Sequence, residues 1–137
     1  MTPLECVRAV IACDNGRDAA GYRALLHDDY VARVHGNVQT EGAEREVAAL
    51  ESWWAATPDS HIEELAAHVD GAFVTFRYAM SGTNQGPLGA LPATGRPFRT
   101  EACTILEVID GRVQRTWRFA DTFGLLTQLG AIAPPGG

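Results

Sequence analysis

The sequence predicts an α+β fold, with N-terminal helices lying on one face of a curved antiparallel sheet. Three observations predict it. Apolar residues recur at helical spacing over the first part of the chain. From Ile62 onward the pattern changes to strand-like stretches. The pairs Asp70-Gly71 and Asp110-Gly111 divide those stretches into hairpins, because Asp-Gly suits a tight two-residue turn. Helices first and hairpins after is the order of an α+β fold. A sheet wrapped around helices makes a cone, and its mouth is where a ligand pocket belongs.

Each element follows from local chemistry. Thr2-Pro3-Leu4-Glu5 has the spacing of a capping box, with Pro at the first helical position. Leu4, Val7, Val10 and Ile11 continue that helix until Asn15-Gly16 stops it. A second helix begins near Asp18 and buries Tyr22, Leu25 and Leu26; Val31 to Val38 follows as an irregular or extended piece. A third helix covers Ala43 to Ala56, with Val47, Leu50 and Trp53 or Trp54 on its apolar side, and Thr57-Pro58-Asp59 ends it. Strands are expected over Ile62 to Val69, Ala72 to Met80, Phe98 to Ile109 and Arg112 to Asp121, with a Gly- and Pro-rich loop from Ser81 to Pro97. Thr122 to Leu129 forms a short closing helix ended by Gly130, and Ala133 to Gly137 is a loose tail.

At 137 residues the chain is expected to form one domain, 1–137, large enough to bury a core without metals or crosslinks. A net charge of −6 and scattered arginines argue against a nucleic-acid or membrane-surface partner. The three cysteines show no metal-ligand spacing, and their odd number with no signal-peptide pattern predicts a reducing cytoplasm. No apolar run approaches the ~20 residues that cross a bilayer.

The last hairpin contains the residue of greatest chemical interest. A two-residue turn at Asp110-Gly111 would set Ile109 opposite Arg112, Thr104 opposite Trp117, Ala102 opposite Phe119 and Thr100 opposite Asp121. Val113, Trp117, Phe119 and Asp121 would then share one face, with small residues opposite the large ones. A single β-bulge would exchange the faces over part of the strand. A carboxylate buried among aromatics has a raised pKa and can act as a base near neutral pH. The alternative is that Asp121 caps the helix that follows, since Asp is a favoured N-cap residue.

The segments Gly82-Thr83-Asn84-Gln85-Gly86 and Leu91-Pro92-Ala93-Thr94-Gly95-Arg96, then Asp110-Gly111-Arg112-Val113, resemble the SnoaL-like polyketide cyclases. So does the ending Trp117…Asp121-Thr122-Phe123-Gly124-Leu125-Leu126-Thr127-Gln128-Leu129-Gly130. These enzymes share their fold with nuclear transport factor 2. The resemblance implies a cone-shaped barrel with a deep apolar pocket. It also implies cofactor- and metal-free intramolecular aldol ring closure of an aromatic polyketide, with Asp121 as acid/base. Two departures stand out: Asn84 and Arg33 occupy positions where such cyclases usually carry His. Asn84 would hydrogen-bond an enolate oxygen and Arg33 would stabilise one electrostatically, while His35 is a candidate replacement imidazole. Tyr30, Trp54, Trp117 and Phe119 are assigned to the substrate wall; only one of the adjacent Trp53 and Trp54 can face inward.

Some family members hydroxylate anthracycline-type rings, which makes a hydroxylase the nearest alternative. A non-catalytic small-molecule binder is a further one. Arg99 and Glu101 resemble part of a limonene-type epoxide hydrolase set, but the register places them opposite Asp121, as a surface ion pair. The outer sheet face predicts a homodimer or homotetramer.

Overall fold

The computed structural model describes residues 1–133, so the expectation for a loose tail over residues 134–137 lies outside the described residues. In chain order the elements are α1 (Pro3–Asn15), α2 (Ala19–Ala24), β1 (Leu26–Val34), β2 (Asn37–Glu41), α3 (Ala43–Ala56), β3 (His61–Asp70), β4 (Phe73–Thr83), β5 (Pro97–Ile109), β6 (Arg112–Ala120) and α4 (Thr122–Gln128). The strands form one sheet in the order β2-β1-β6-β5-β4-β3. The fold is therefore α+β, as the sequence implies. One feature of the sheet differs: it is mixed, because β1 runs parallel to β6. Helix α3 carries the chain from one edge to the other, and the meander back brings β6 alongside β1. The piece expected to be irregular is the β1–β2 hairpin, turned by His35 and Gly36 at positive φ.

Helix α1 begins with the expected capping box: Thr2 Oγ1 accepts from the Glu5 N–H at 3.1 Å and Glu5 returns the contact to the Thr2 N–H. Its apolar stripe buries Cys6, Val7 and Val10 against Leu26, Tyr30, Val74, Phe76, Leu106, Val108 and Val113. Its C-terminal end is tied to β3 by Asn15, whose side chain donates to the Ile62 carbonyl at 2.9 Å and accepts from the Ile62 N–H at 2.8 Å. This two-way clasp fixes the last turn of α1 against the sheet.

The β5–β6 hairpin determines what faces the helices. Its turn is the expected one, with Asp110 and Gly111 both at positive φ, as a type I′ turn requires. Ile109 pairs with Arg112 and Val108 with Val113, but the next pair is Glu107 with Arg115. Gln114 is thus an extra residue, and the faces of β6 exchange beyond it. Thr104 lies opposite Arg118 rather than Trp117, and Cys103 opposite Phe119. On β5 the inner face is as expected, with Thr100, Ala102, Thr104 and Leu106 buried. On β6 the inward residues are Val113, Thr116 and Arg118, while Trp117 and Phe119 lie on the outer face.

Candidate functional site

Between the helices and the inner sheet face lies a small cavity of about 70 Å³ that opens to solvent. Its walls are largely apolar: Val10 and Ile11 from α1, Leu26 from β1, Ile62 from β3, Phe76 from β4, Leu106 from β5 and Val113 from β6. Set into them are Asp14, Tyr22, Tyr30, Tyr78, Thr104, Thr116 and Arg118. An apolar hollow with a few convergent polar groups is the usual form of a small-molecule site.

Asp14 is the cavity's carboxylate. It stands in the last turn of α1, three residues beyond Ile11 and four beyond Val10, and so continues the helix's buried stripe. Burial pushes its carboxyl above the ordinary value and Glu46 adds to the rise; the Trp54 hydrogen bond and the charges of Arg17 and Arg118 oppose it. Trp54 Nε1 donates to Asp14 Oδ1 at 2.9 Å.

Arg118 is the cavity's cation. Its guanidinium donates to Glu46 Oε1 at 3.0 Å, to Gln39 Oε1 at 2.8 Å and to the Tyr30 hydroxyl at 3.4 Å. Glu46 is itself buried and accepts from Thr40 Oγ1 at 3.1 Å. Burial works against the Arg118 charge, but Tyr30, Glu46 and Tyr22 outweigh it and hold the guanidinium protonated well above its ordinary value. Burial pushes the Tyr30 phenol up to about 12, so it remains a neutral hydrogen-bonding group. The Thr116 hydroxyl is buried in the same wall and has no hydrogen-bond partner among the described residues.

Of the residues expected at the site, the structure brings Tyr30 to the cavity and places the others elsewhere. The expectation of a buried Asp121 is corrected. Its side chain is exposed, and it is the N-cap of α4, where Oδ1 accepts from the Gly124 N–H at 2.8 Å. The face exchange at Gln114 puts it, with Trp117 and Phe119, on the side away from the cavity. Trp117 packs beside Phe73 with ring centres 6.3 Å apart, and Phe119 is 47% exposed.

Asn84 is fully buried, but its polar atoms are engaged in its own loop. The side chain donates to the Gly86 carbonyl and accepts from the Thr94 N–H and hydroxyl; the backbone bonds Arg96 and Gly95. It clamps the loop and does not line the cavity. Arg33 pairs in register with Val38 and Trp117 on the outer side of β1. His35 is exposed in the β1–β2 turn, where Nε2 accepts from the Ala120 N–H at 3.2 Å. Trp54 reaches the site only through Asp14, whereas Trp53 packs on Phe98 at 5.6 Å. Arg99 and Glu101 pair with Glu63 and Arg77 respectively, not with each other.

Sequence reasoning missed Asp14, Glu46 and Arg118. The first two carried a readable signal, an acidic residue on the apolar stripe of an amphipathic helix. Arg118 carried none, because an unseen bulge decides its face. Among the described residues no group of three or more His, Cys, Asp or Glu is placed to hold a metal ion. No described helix is long and apolar enough to cross a membrane.

Comparison with known proteins agrees with this architecture. Residues 4–129 match the family model for the SnoaL-like polyketide cyclases. The chain is similar to aklanonic acid methyl ester cyclase DnrD of Streptomyces peucetius, at 27% identity over 137 residues covering 97% of this chain and 94% of that one. It is likewise similar to the aklanonic acid methyl ester cyclase DauD of Streptomyces sp. (strain C5), at 29% identity over 140 residues, 98% of this chain and 86% of the relative. Among solved structures, TsrD from Streptomyces laurentii superposes with a TM-score of 0.83 at 28% identity, covering 94% of this chain and 95% of that one. With its model matched over almost the whole length and its cone of helices and sheet in place, the chain belongs to the SnoaL-like polyketide cyclase family.

Proposed function

We propose that this protein closes a ring on a polyketide-derived substrate by acid/base catalysis, with Asp14 as the base and Arg118 as the charge that stabilises the oxyanion. The observation that carries the reading is a half-buried carboxyl with a raised pKa lining the same apolar cavity as a partly buried guanidinium. The Asp14 carboxylate takes a proton from an activated CH between carbonyls. The resulting enolate carbon attacks a second carbonyl of the same molecule, so a C–C bond forms and the C=O π pair moves to oxygen. Arg118, with the neutral Tyr30 hydroxyl beside it, stabilises the enolate and then the alkoxide. Asp14 returns its proton to that alkoxide, and the product is an isomer of the substrate. The similarity to aklanonic acid methyl ester cyclases supports this class of substrate.

Aklanonic acid methyl ester is the first substrate to test. Asp14→Asn should lower turnover by about 10²–10⁴-fold, the usual worth of a positioned base. Asp121→Asn should leave turnover within a few-fold. The reverse ranking would refute Asp14 as the base. A product heavier by one oxygen atom would replace ring closure with hydroxylation, and tight binding of the ester without turnover would make the protein a binder. The proposal includes a homo-oligomer, since the outer sheet face exposes Phe73 and Phe119 beside Trp117. Elution as a monomer at micromolar concentration would remove that part.

A further inference from the structure

We infer that Trp54 is a positioning residue for Asp14, and that Arg17 locks Trp54 in place. The inference rests on Asp14 being the working carboxylate of the cavity.

Asp14 and Trp54 lie in the last turns of α1 and α3, 40 residues apart in sequence, and their side chains meet through one short hydrogen bond. An indole N–H can only donate, so the bond fixes which Asp14 oxygen is engaged and leaves the other free for the cavity. A carboxylate held in one rotamer loses no entropy on meeting its substrate, and small misplacements of a base are costly. The bond also favours the charged form, and so limits how far burial raises the Asp14 pKa.

Arg17 makes the second half of the device. It sits in the α1–α2 turn at φ 57°, an uncommon conformation for a side-chain-bearing residue. Its guanidinium lies over the Trp54 ring, 5.8 Å from the ring centre. The same group donates to the carbonyls of Pro58 at 2.7 Å and Ser60 at 2.9 Å, and to Ser60 Oγ at 3.2 Å. One planar cation thus covers the indole and ties down the chain that leaves α3. Its own backbone N–H donates to the Asp14 carbonyl, so the latch starts from the residue whose carboxylate it serves.

Asp14 is faced by Arg17, Tyr22, Glu46, Trp54, Tyr78 and Arg118. Glu46 is the other carboxyl among these groups, so the test must separate it from Asp14.

The experiment follows the indole Nε1–H resonances of ¹⁵N-labelled protein as pH is varied. Trp54 is assigned as the peak missing from Trp54→Phe. The expected result is a Trp54 peak that titrates in the native chain and becomes flat in Asp14→Asn. A peak that is flat in the native chain, or that still titrates in Asp14→Asn, overturns the inference. Neither reading needs turnover, so failure of the Trp54–Asp14 coupling is distinguishable from failure of Asp14 as the base. With turnover available, Trp54→Phe should lower kcat by up to about 100-fold, with KM nearly unchanged and the acid limb of kcat/KM moved to higher pH. Arg17→Gln should give a weaker version of the same shift, and Arg17→Lys should restore part of it. A Trp54→Phe enzyme that only melts earlier, with its acid limb unmoved, would reduce Trp54 to a packing residue.

Discussion

Arg118 and Glu46 form a 3.0 Å ion pair in which the Glu46 side chain is only 4% exposed. They come from β6 and α3, and the pair joins the sheet to the helical layer at the edge of the cavity. Removing one partner of a buried pair leaves the other charge uncompensated. Glu46→Ala should therefore cost about 3–5 kcal/mol in urea unfolding. Replacing both groups with apolar residues, as in Glu46→Leu with Arg118→Met, should recover most of that loss while abolishing turnover, because the Arg118 cation is gone.

Asp14→Asn is expected to stabilise the protein near neutral pH. The folded-state pKa of Asp14 is raised, so its favourable contribution is complete below the unfolded-state value and is lost as pH rises through the folded-state value. Above that range the native protein carries a carboxylate its surroundings oppose, whereas the amide has no charge to oppose. Thermal melts of the two proteins should converge in acid and separate as pH rises, with the variant higher. A constant gap across pH would contradict the raised pKa.

Asp121→Ala removes an N-cap and should cost about 1 kcal/mol, with turnover within a few-fold of native. Loss of activity at unchanged stability would return Asp121 to the chemistry.

Asn84→Ala should be costly for a structural reason. It strips partners from the Gly86 carbonyl and the Thr94 N–H and hydroxyl at once. Each group left unpaired costs about 1–3 kcal/mol. Urea unfolding would register the loss, and the substrate's KM should follow the disordering of the loop rather than any lost contact in the cavity.

Much of this molecule is legible in its residues. The capping box at Thr2, the Asp110-Gly111 turn, the extent of α3 and the closing α4 all follow from short-range chemistry, and the structure has them where the sequence implies. The first hairpin turns one residue later than expected, at Gly71-Ala72, because Asp70 still pairs with Phe73. The inner face of β5 was equally readable, since Thr100, Ala102, Thr104 and Leu106 alternate without interruption. The family resemblance was carried by turn and loop residues such as the Asn84 and Gly95 segments. Those residues build the scaffold, which explains why they identified the fold better than the site.

The sequence by itself determined the four helices, the last four strands and their order, because capping, turn geometry and side-chain periodicity act over a few residues. The β1–β2 hairpin and the parallel pairing of β1 with β6 came only with the tertiary structure. Tertiary structure alone decided which polar groups face the cavity. A strand's side chains alternate with period two, so the single extra residue at Gln114 turned Arg118 inward and Trp117 and Phe119 outward. The meeting of Asp14, Trp54, Glu46 and Arg118 likewise depends on how α1 and α3 pack on the sheet, and that packing joins residues too far apart in the chain for any local pattern to pair.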